Sequence, residues 1–284
     1  DNWSNDSGGG IFVYGDATFI NSTISKNTAS KNGGGAQVVT RAWVDQSTFS
    51  ENIAGYDGAG LYIAHDADIS NSTFISNTAT TNGFGGGASV GGAGLITKTR
   101  FIANSASNGG GGLAMTNAPK GSVSNSLFAR NLANSENGDA IYIWGNSGLA
   151  LINCAASTSC AQAVNSVDIV FNTIASPTLA AGSAIFVSGN TPVPVYITDT
   201  IITNHSVGIS VTTGTAVTEN YNYFDGNTAN IVGPATSGAN HPTGAQAFQN
   251  PAGDDYRLVM GNPAINTGTE TASIVGLNLL LIPR

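Results

Sequence analysis

Charge is scarce in this sequence. Only 9% of its 284 residues are Asp, Glu, Lys or Arg, against about 25% in ordinary soluble domains. The nine basic residues are dispersed, and beyond Arg130 only Arg257 and Arg284 occur. A protein that binds nucleic acid usually presents a clustered basic face. The sequence therefore predicts no nucleic-acid partner.

Long apolar runs and early prolines are also missing. No run of 18 apolar residues occurs, so the sequence predicts no transmembrane helix. No proline precedes Pro119, and strands that donate hydrogen bonds on both edges exclude proline. The chain before Pro119 is thus compatible with a series of paired strands.

Cysteine is equally rare, and its two copies, Cys154 and Cys160, lie close together. They can be interpreted as two buried thiols that pack as small apolar groups. They can also be interpreted as a local disulfide, which would imply an oxidising compartment. We favour the disulfide because two such rare residues are so close, although spacing alone does not fix the geometry that a disulfide requires.

Glycine, in contrast, is abundant, and it marks a repeat. The first three repeats open 25 residues apart, and the next two keep this spacing to within two residues. The opening glycines are Gly8, Gly33, Gly58, Gly85 and Gly110. Self-similarity at a fixed period of this length indicates a stacked repeat architecture.

The apolar residues within each repeat alternate with other residues, as Leu61 and Ile63 or Ile141 and Ile143 do. Alternation indicates strands. Several short strands in one repeat form a turn of a parallel β-helix, whose turns stack about 4.8 Å apart and share backbone hydrogen bonds. Crossovers between parallel strands are almost always right-handed. The sequence therefore predicts an all-β, right-handed, single-stranded parallel β-helix (a solenoid) of about ten coils.

The whole chain, residues 1–284, is expected to form one β-helix domain, because each turn of a solenoid contacts only its neighbours. Residues 8–137 are predicted to be regular coils and residues 138–225 looser ones. Residues 226–284 are predicted to hold a long terminal loop at 226–250, a last coil and an apolar C-terminal strand at 274–282.

Side chains at equal places in successive turns should stack in rows. Five asparagines are predicted to form a structural ladder of hydrogen-bonded amides. They are Asn27, Asn52, Asn77, Asn104 and Asn131. A charge ladder is predicted from Asp16, Arg41 and Asp66, with Arg41 in reach of both carboxylates, and Lys26 and Glu51 should pair likewise. Such exposed pairs contribute little energy, but they help to fix the register.

An outward-facing aromatic stripe is predicted on the strand that follows each opening glycine. Its members are Phe12, Tyr14, Tyr62, Tyr142, Trp144 and Phe186. An apolar stripe of this kind is unusual on a soluble monomer and indicates a partner surface, unless another segment of the chain covers it.

The two ends of the solenoid offer a second route to partners. Each end presents unpaired strand edges, which favour pairing with another chain. The apolar residues 274–282 would either cap their own last coil or pair with the first coil of another copy, which would extend a filament.

Two sets of motifs resemble known families. Gly-Gly-Ala at 34–36 and 86–88, combined with Phe-x-x-Asn at 49–52 and 74–77, resembles the repeats of polymorphic outer-membrane proteins, which are bacterial surface adhesins. Asp-Tyr-Arg-Leu at 255–258, followed by Asn-Pro-Ala-Ile-Asn-Thr-Gly at 262–268, resembles the last coil of secreted β-helix proteins of the choice-of-anchor type. Both resemblances imply a β-helix that is extracellular or on the cell surface.

The sequence thus favours a non-enzymatic extracellular protein, structural or adhesive. Assembly into a surface filament and contact with a glycan or another cell-surface ligand are further options that the sequence leaves open. The alternative is a carbohydrate-active enzyme, a polysaccharide lyase or hydrolase, or a glycan-binding β-helix, because these share the fold.

An enzyme of this fold would need carboxylates and a base on adjacent turns. The best group is His65 with Asp66 and Asp68, which is interpreted as a solvated turn, and Lys98 and Arg100 have no carboxylate at the matching place. Asp-Asp at 254–255 is interpreted as a polar turn, and the three histidines lack metal-ligand spacing. We therefore predict no catalytic residue, no metal site and no cofactor.

Overall fold

The chain is a parallel β-solenoid in the computed structural model, which describes residues 1–117, 120–135, 137–145, 166–189, 194–238, 241–242 and 248–265. The solenoid is right-handed and has about eight turns, which confirms the predicted fold class. The only helical element of the described residues is the 3₁₀ turn Pro251–Gly253. The turns are fewer than the ten expected because some are longer than the repeat. Ser126 and Asn172, at equal places in successive turns, lie 46 residues apart.

Each regular turn contributes four strands, and strands of equal place stack in parallel. The first stack contains Ile11–Val13, Ala36–Val38, Leu61–Ile63, Ala88–Val90, Leu113–Thr116 and Ile141–Gly145. The second stack contains Ala17–Ile20, Ala42–Asp45, Ala67–Ser70, Gly94–Thr97, Gly121–Ser124, Val167–Val170, Val195–Thr198, Val217–Asn220 and Ala235–Ser237. The third stack contains Thr23–Ser25, Thr48–Ser50, Thr73–Ile75, Arg100–Ile102 and Leu127–Ala129. The fourth stack contains the short strands Trp3–Ser4, Thr28–Ala29, Ile53–Ala54, Thr78–Ala79, Ser105–Ala106 and Leu132–Ala133.

The cross-section of the solenoid changes after the fourth stack ends. The long strand Thr173–Gly189 pairs with the third stack at its start and with the first stack at its end, so it joins the two into one sheet. Ile201–Val211 follows the same path in the next turn, and Tyr223–Asp225 and Ala229–Val232 pair with its two ends. The later turns are therefore built from longer and fewer strands.

Residues 226–250 were expected to form one long loop, and this expectation is wrong. Ala229–Val232 pairs with Ile201–Val211, and Ala235–Ser237 pairs with Val217–Asn220. Both strands are short, and their alternation is too weak to stand out among Gly, Asn, Thr and Pro.

The segment expected to be a last coil is a hairpin. Phe248–Asn250 and Asp255–Leu258 pair antiparallel, outside the parallel stacks, and the 3₁₀ turn Pro251–Gly253 connects them. The C-terminal strand predicted at 274–282 and the cysteines Cys154 and Cys160 lie outside the described residues.

The core is a column of stacked side-chain rows. Phe49, Phe74, Phe101 and Phe128 are fully buried in the third stack. Adjacent ring centroids are 4.9, 5.0 and 4.7 Å apart, and the ring planes agree within 7°. Because this separation matches the spacing of paired strands, the backbone hydrogen bonds and the ring stacking fix the same register.

The backbone conformation explains why each regular turn opens with a glycine. Those at 8, 33, 58, 85, 110 and 138 all have φ between 61° and 70°, in the left-handed region. A Cβ atom at Gly33 would also lie 2.4 Å from the carbonyl oxygen of Ala36. The tight corner before the first stack therefore needs glycine in every regular turn.

Candidate functional site

The asparagine ladder runs inside the corner between the third and fourth stacks. In each of the five predicted residues except the last, the backbone N–H and Nδ2 both donate to Oδ1 of the asparagine in the next turn, at 2.9–3.1 Å. From Asn52 onward, Nδ2 also donates to a carbonyl of the preceding turn, as Asn77 does to Phe49 O at 2.9 Å. The ladder thus satisfies buried polar groups and holds the turns in register.

The first member of this ladder, Asn2, was not among the predicted residues. Asn2 donates from its backbone N–H and from Nδ2 to Oδ1 of Asn27, at 3.0 and 2.9 Å. Its distance of 25 residues from Asn27 was the available signal. Among the described residues nothing donates to Oδ1 of Asn2, so the ladder ends in an open acceptor.

A second ladder, also missed, lies at the corner between the second and third stacks. In six turns a backbone N–H donates to a side-chain oxygen at the equal place of the next turn, as Ser22 does to Ser47 and Ser126 to Asn172. Its other links are Ser47 to Ser72, Thr99 to Ser126, Asn172 to Thr200 and Thr200 to Asn222. The sequence conceals this row because the residue type and the spacing both vary.

The charge ladder has the predicted register but another ion pair. Asp16, Arg41 and Asp66 lie at equal places in successive turns, as the hydrogen bonds from Ala17 N to Arg41 O and from Ala42 N to Asp66 O show. The guanidinium group of Arg41 pairs with Asp68, not with Asp66.

The outward face of the second stack explains this correction. Arg41 lies 4.5 Å above the ring of Trp43, and Trp43 is the register partner of Asp68. Oδ1 of Asp66 instead accepts from Ala93 N–H at 2.8 Å, and Oδ1 of Asp16 accepts from Arg41 N–H at 3.1 Å. Equal places in the repeat correctly predict which backbone segments are neighbours. They do not predict which carboxylate a long side chain such as Arg41 contacts.

The predicted aromatic stripe is divided. Phe12, Tyr62, Tyr142 and Phe186 share one outward row of the first stack, but Gln37, Ser89 and Ala114 occupy the same row between them. Tyr14 and Trp144 follow two positions later in their turns. The stripe is therefore not continuous, which corrects the expectation.

Four of the six members of the stripe are half-buried, and two of these four cover each other. Tyr142 stacks on Phe186 with centroids 5.6 Å apart and planes 4° apart, and it contacts Phe84 at 4.9 Å. A ring face covered by another ring is not open to a ligand. Of the six predicted residues, the mainly exposed ones are Phe12 (47%) and Tyr14 (80%), and both lie in the first turn.

The first turn presents an apolar end face. Ile11 points into the core row of Ala36 and Leu61, yet it is 37% exposed while those residues are fully buried. Trp3 and Ile20 are also exposed there, beside Phe12 and Tyr14. The strands of this turn are edge strands, paired only with the second turn. This end face can take up another strand edge.

The other end of the described core holds a polar cluster. Glu219 continues the inward row of Ile197 and is fully buried. Its carboxylate accepts hydrogen bonds from Ser237 Oγ and from Asn222 Nδ2, the latter at 3.0 Å, and lies 3.3 Å from His241 Nε2. The two ends of the core therefore differ in chemistry.

The side chains considered, and not favoured, for enzyme chemistry do not converge. Nδ1 of His65 lies 2.7 Å from Val39 O, whereas Asp66 and Asp68 bind Ala93 and Arg41. Lys98 has a left-handed φ of 49° and lies between two strands, so it does not share a strand face with Arg100.

The two aspartates at 254–255 belong to the hairpin turn. Asp254 pairs with Arg130 at 2.5 Å, and Asp255 pairs with Arg257 at 2.5 Å. In the part of the chain that the structure describes, no group of three or more His, Cys, Asp or Glu side chains is arranged to hold a metal ion. No helix in the same part is long and apolar enough to cross a membrane.

The hairpin packs against the outward face of the third stack. Tyr256 is buried there in an apolar cluster that lies apart from the solenoid core. Its neighbours are Ile102, Leu127, Ala129 and Ala175, with Phe248 at the edge. Burial raises the pKa of the Tyr256 hydroxyl to about 12. The hairpin thereby covers an outward surface that would otherwise be an apolar patch.

A cleft opens between the hairpin and the later turns. It has a volume of about 270 Å³. Its walls are Ser176, Pro177, Thr203, Asn204, Asp225, Phe248 and Pro251. Thr203 is 2% exposed, and its Oγ1 has no hydrogen-bond partner among the described residues.

A neutral histidine supports the floor of this cleft. Nδ1 of His205 donates to Thr203 O at 2.8 Å. Burial lowers the pKa of His205 to about 4, so the ring is neutral at physiological pH. His205 therefore orients the backbone of Thr203 without adding charge to the cleft.

Comparisons with known proteins agree with this architecture. The model of the family described as a right-handed β-helix region matches residues 59–229, which is more than half of the chain. No curated protein and no solved structure gives a significant match. The match to the family model covers both the regular turns and the later turns with long strands, and the chain therefore belongs to the right-handed β-helix family.

Proposed function

We propose that this chain is a non-enzymatic structural or adhesive β-helix of an extracellular or cell surface, and that copies of it associate through the end face of the first turn. The observation that carries the proposal is the exposure of Ile11. This side chain lies in a core row, yet it is 37% exposed, so the first turn presents core surface to solvent. Burying such surface is favourable, at roughly 25 cal/mol per Å².

The backbone supports the same contact. An edge strand offers unpaired N–H and C=O groups to a further strand. The open acceptor Oδ1 of Asn2 adds a side-chain group that would accept from an N–H of the partner. A strand edge is therefore a better partner for this face than a compact surface would be.

A second copy of the chain is the partner that fits. The first turn is apolar, whereas the other end of the described core holds the polar cluster of His241 and the buried Glu219. Apolar faces bury best against each other, so two first turns should meet across a twofold axis. Filament growth would need a second contact, and residues 274–282, outside the described part, are the segment that the sequence offers for it.

The extracellular location rests on the resemblance of the repeats to bacterial surface adhesins. Labelling of intact and permeabilised native cells with an antibody tests it. Equal labelling of both would support surface exposure, and labelling only after permeabilisation would contradict it.

The association is tested by the variant Ile11→Lys, because a charged side chain on an edge opposes pairing. Light scattering after gel filtration, over a range of concentrations, should give a dimer for the wild type and a dissociation constant at least about tenfold weaker for the variant. The control is Leu132→Lys, at a similarly exposed leucine on the lateral surface. A wild type that is monomeric at every concentration would refute the proposed association.

The cleft beside the hairpin favours a second candidate function, the binding of a small polar ligand. A glycan-binding β-helix was the alternative from the sequence. The polar side chains that line the cleft, Ser176, Thr203, Asn204 and Asp225, support this alternative.

A further inference from the structure

A carboxylate without a cationic partner lies where the third turn opens. Oδ1 of Asp57 accepts a hydrogen bond from Phe84 N–H at 2.8 Å. Among the described residues no group donates to Oδ2 of Asp57, and no cation pairs with this carboxylate. Lys31, in the turn before, pairs with Asp6 instead, at 3.1 Å. Oδ2 of Asp57 keeps some accessible surface, so it is open to a ligand.

The surroundings of Asp57 favour a cation as that ligand. The side chain is half-buried, and burial raises the pKa of its carboxyl group, while the hydrogen bond from Phe84 N–H lowers it to a smaller extent. A charge that is partly removed from water without an opposite charge is unfavourable. A cation beside Oδ2 would offset this cost, whereas an anion would be repelled.

Two aromatic side chains lie beside this carboxylate. Burial raises the pKa of the Tyr62 hydroxyl, and the charge of Asp57 raises it further, so the two side chains are within electrostatic reach. The ring of Phe84 contacts Tyr142, which shares the outward row of Tyr62. No described ring stacks on Tyr62. Aromatic rings attract cations, so Asp57, Tyr62 and Phe84, here called the Asp57 surface, suit a positively charged group.

The second stack contains the same kinds of group with the cation in place. The guanidinium group of Arg41 lies 4.5 Å from the centre of the Trp43 ring and pairs with Asp68 of the next turn. A guanidinium group is planar and weakly hydrated, so it can stack on a ring and bond to a carboxylate at the same time. The Asp57 surface offers the carboxylate and the rings, and an arginine would complete it.

The charge of the chain indicates where this arginine comes from. The net charge is −8, and an acidic protein attracts basic partners. A second copy of the chain is a poor source, because five of its nine basic residues already pair with carboxylates of their own chain. These five are Lys26, Lys31, Arg41, Arg130 and Arg257.

From these observations we infer that the Asp57 surface docks a basic segment of another protein, with one arginine against the rings of Tyr62 and Phe84 and paired with Oδ2 of Asp57. This contact would give the proposed adhesive role a partner of defined chemistry. It does not rest on association through the first turn, because the third and fourth turns form it.

The probe is the peptide Gly-Gly-Arg-Gly-Gly, acetylated and amidated at its ends. Titrated to about 10 mM into the isotope-labelled full chain at neutral pH, it should shift the NMR amide signals of Tyr62 and Phe84. The same peptide with citrulline keeps the shape of arginine without its charge, and it should bind at least about fivefold more weakly. The lysine peptide should also bind more weakly, because an ammonium group does not stack on a ring in the same way.

The variant Asp57→Asn removes the charge and keeps the oxygen that accepts from Phe84 N–H. Asparagine fits this place, because Asn32 accepts from Asp57 N–H in the same way, at 3.0 Å. Asp57→Asn should weaken binding of the arginine peptide about three- to tenfold. Tyr62→Leu, which removes the ring, should weaken it about two- to fivefold.

A matched control is available in Asp66→Asn. The carboxylate of Asp66 also accepts from a backbone N–H of the next turn, at 2.8 Å, and its loss changes the net charge by the same amount. Asp66 does not belong to the Asp57 surface, so this variant should bind the peptide as the wild type does.

The inference is wrong if the arginine peptide does not bind, or if it binds no better than the lysine or citrulline peptide. It is also wrong if Asp57→Asn and Asp66→Asn lose the same affinity, because only long-range attraction would then matter. A lower molar mass of Asp57→Asn in light scattering would replace the other protein with a second copy. Ile11→Lys should bind the peptide as the wild type does, so this inference and the association through the first turn fail or succeed separately.

Discussion

At the scale of single residues, the buried asparagines of the ladder connect successive turns of the solenoid through side-chain hydrogen bonds. Each amide in the interior of the ladder bonds to the turn before it and to the turn after it. Asn77, for example, accepts from Asn52 and donates to Asn104 and to Phe49 O. A polar network of this kind is stable only when every member is satisfied.

The variant Asn77→Ala should therefore be costly. It leaves Asn52 N–H and Phe49 O without partners in a buried corner, and each such group costs about 1 to 3 kcal/mol. We expect the free energy of unfolding, measured by urea denaturation, to fall by about 2 to 4 kcal/mol. Asn134→Ala, at an exposed asparagine, serves as control and should change it by less than about 0.5 kcal/mol. Equal effects of the two variants would contradict the role assigned to the ladder.

Single residues also show which features could be predicted from the sequence and which could not. The Asn ladder was predictable because one residue type recurs at a nearly constant period. The ion pair of Arg41 was not predictable, because the packing of the guanidinium group over Trp43 determines that it contacts Asp68 and not Asp66. A repeat fixes which backbones are neighbours, while the conformations of long side chains are decided by local contacts.

At the scale of the elements, the third stack is held by its column of phenylalanine rings. A ring in the middle has a neighbour on each face, so its removal leaves a closed cavity. Phe101→Ala should lower the free energy of unfolding by about 3 to 5 kcal/mol.

The matched comparison is Phe224→Ala, at the last member of the same row. Phe224 is half-buried and contacts His241 at 5.7 Å, so the space that it leaves can fill or collapse more easily. Urea denaturation of both variants should show the smaller loss for Phe224→Ala. A larger loss at Phe224 would show that the end of the column, and not its middle, limits stability.

The elements predicted best are those of the regular turns. Constant spacing, glycine corners and alternating apolar residues all agree there, so several weak signals indicate one structure. The strands Ala229–Val232 and Ala235–Ser237 lack these signals, because Gly, Asn and Pro interrupt them. The cleft could not be predicted at all, since the position of the hairpin brings Ser176, Thr203 and Phe248 together without any periodic pattern.

At the scale of the whole molecule, the hairpin is a side element attached to the solenoid. Tyr256 in its apolar cluster and the ion pair of Arg130 with Asp254 hold it in place. Everything else in the described chain is linked turn to turn. The hairpin can therefore open without unfolding the turns.

The variant Tyr256→Ser should release the hairpin. We expect faster amide hydrogen exchange over residues 248–258 and little change in the strands of the first and second stacks, as measured by mass spectrometry. Arg257→Ser, on the same strand but exposed, is the control and should leave exchange near the wild-type rate. Faster exchange throughout the solenoid would mean that the hairpin is part of the cooperative core.

The parallel stacking has a mechanical consequence. Hydrogen bonds between turns run along the solenoid axis, so a pulling force applied to the two ends of the chain acts on a few of them at a time and detaches one turn after another. Each 25-residue turn that detaches adds roughly 85 Å of extended chain. A molecule of this kind would lengthen stepwise under load, and an adhesive contact at its end would feel a limited force instead of a sudden one.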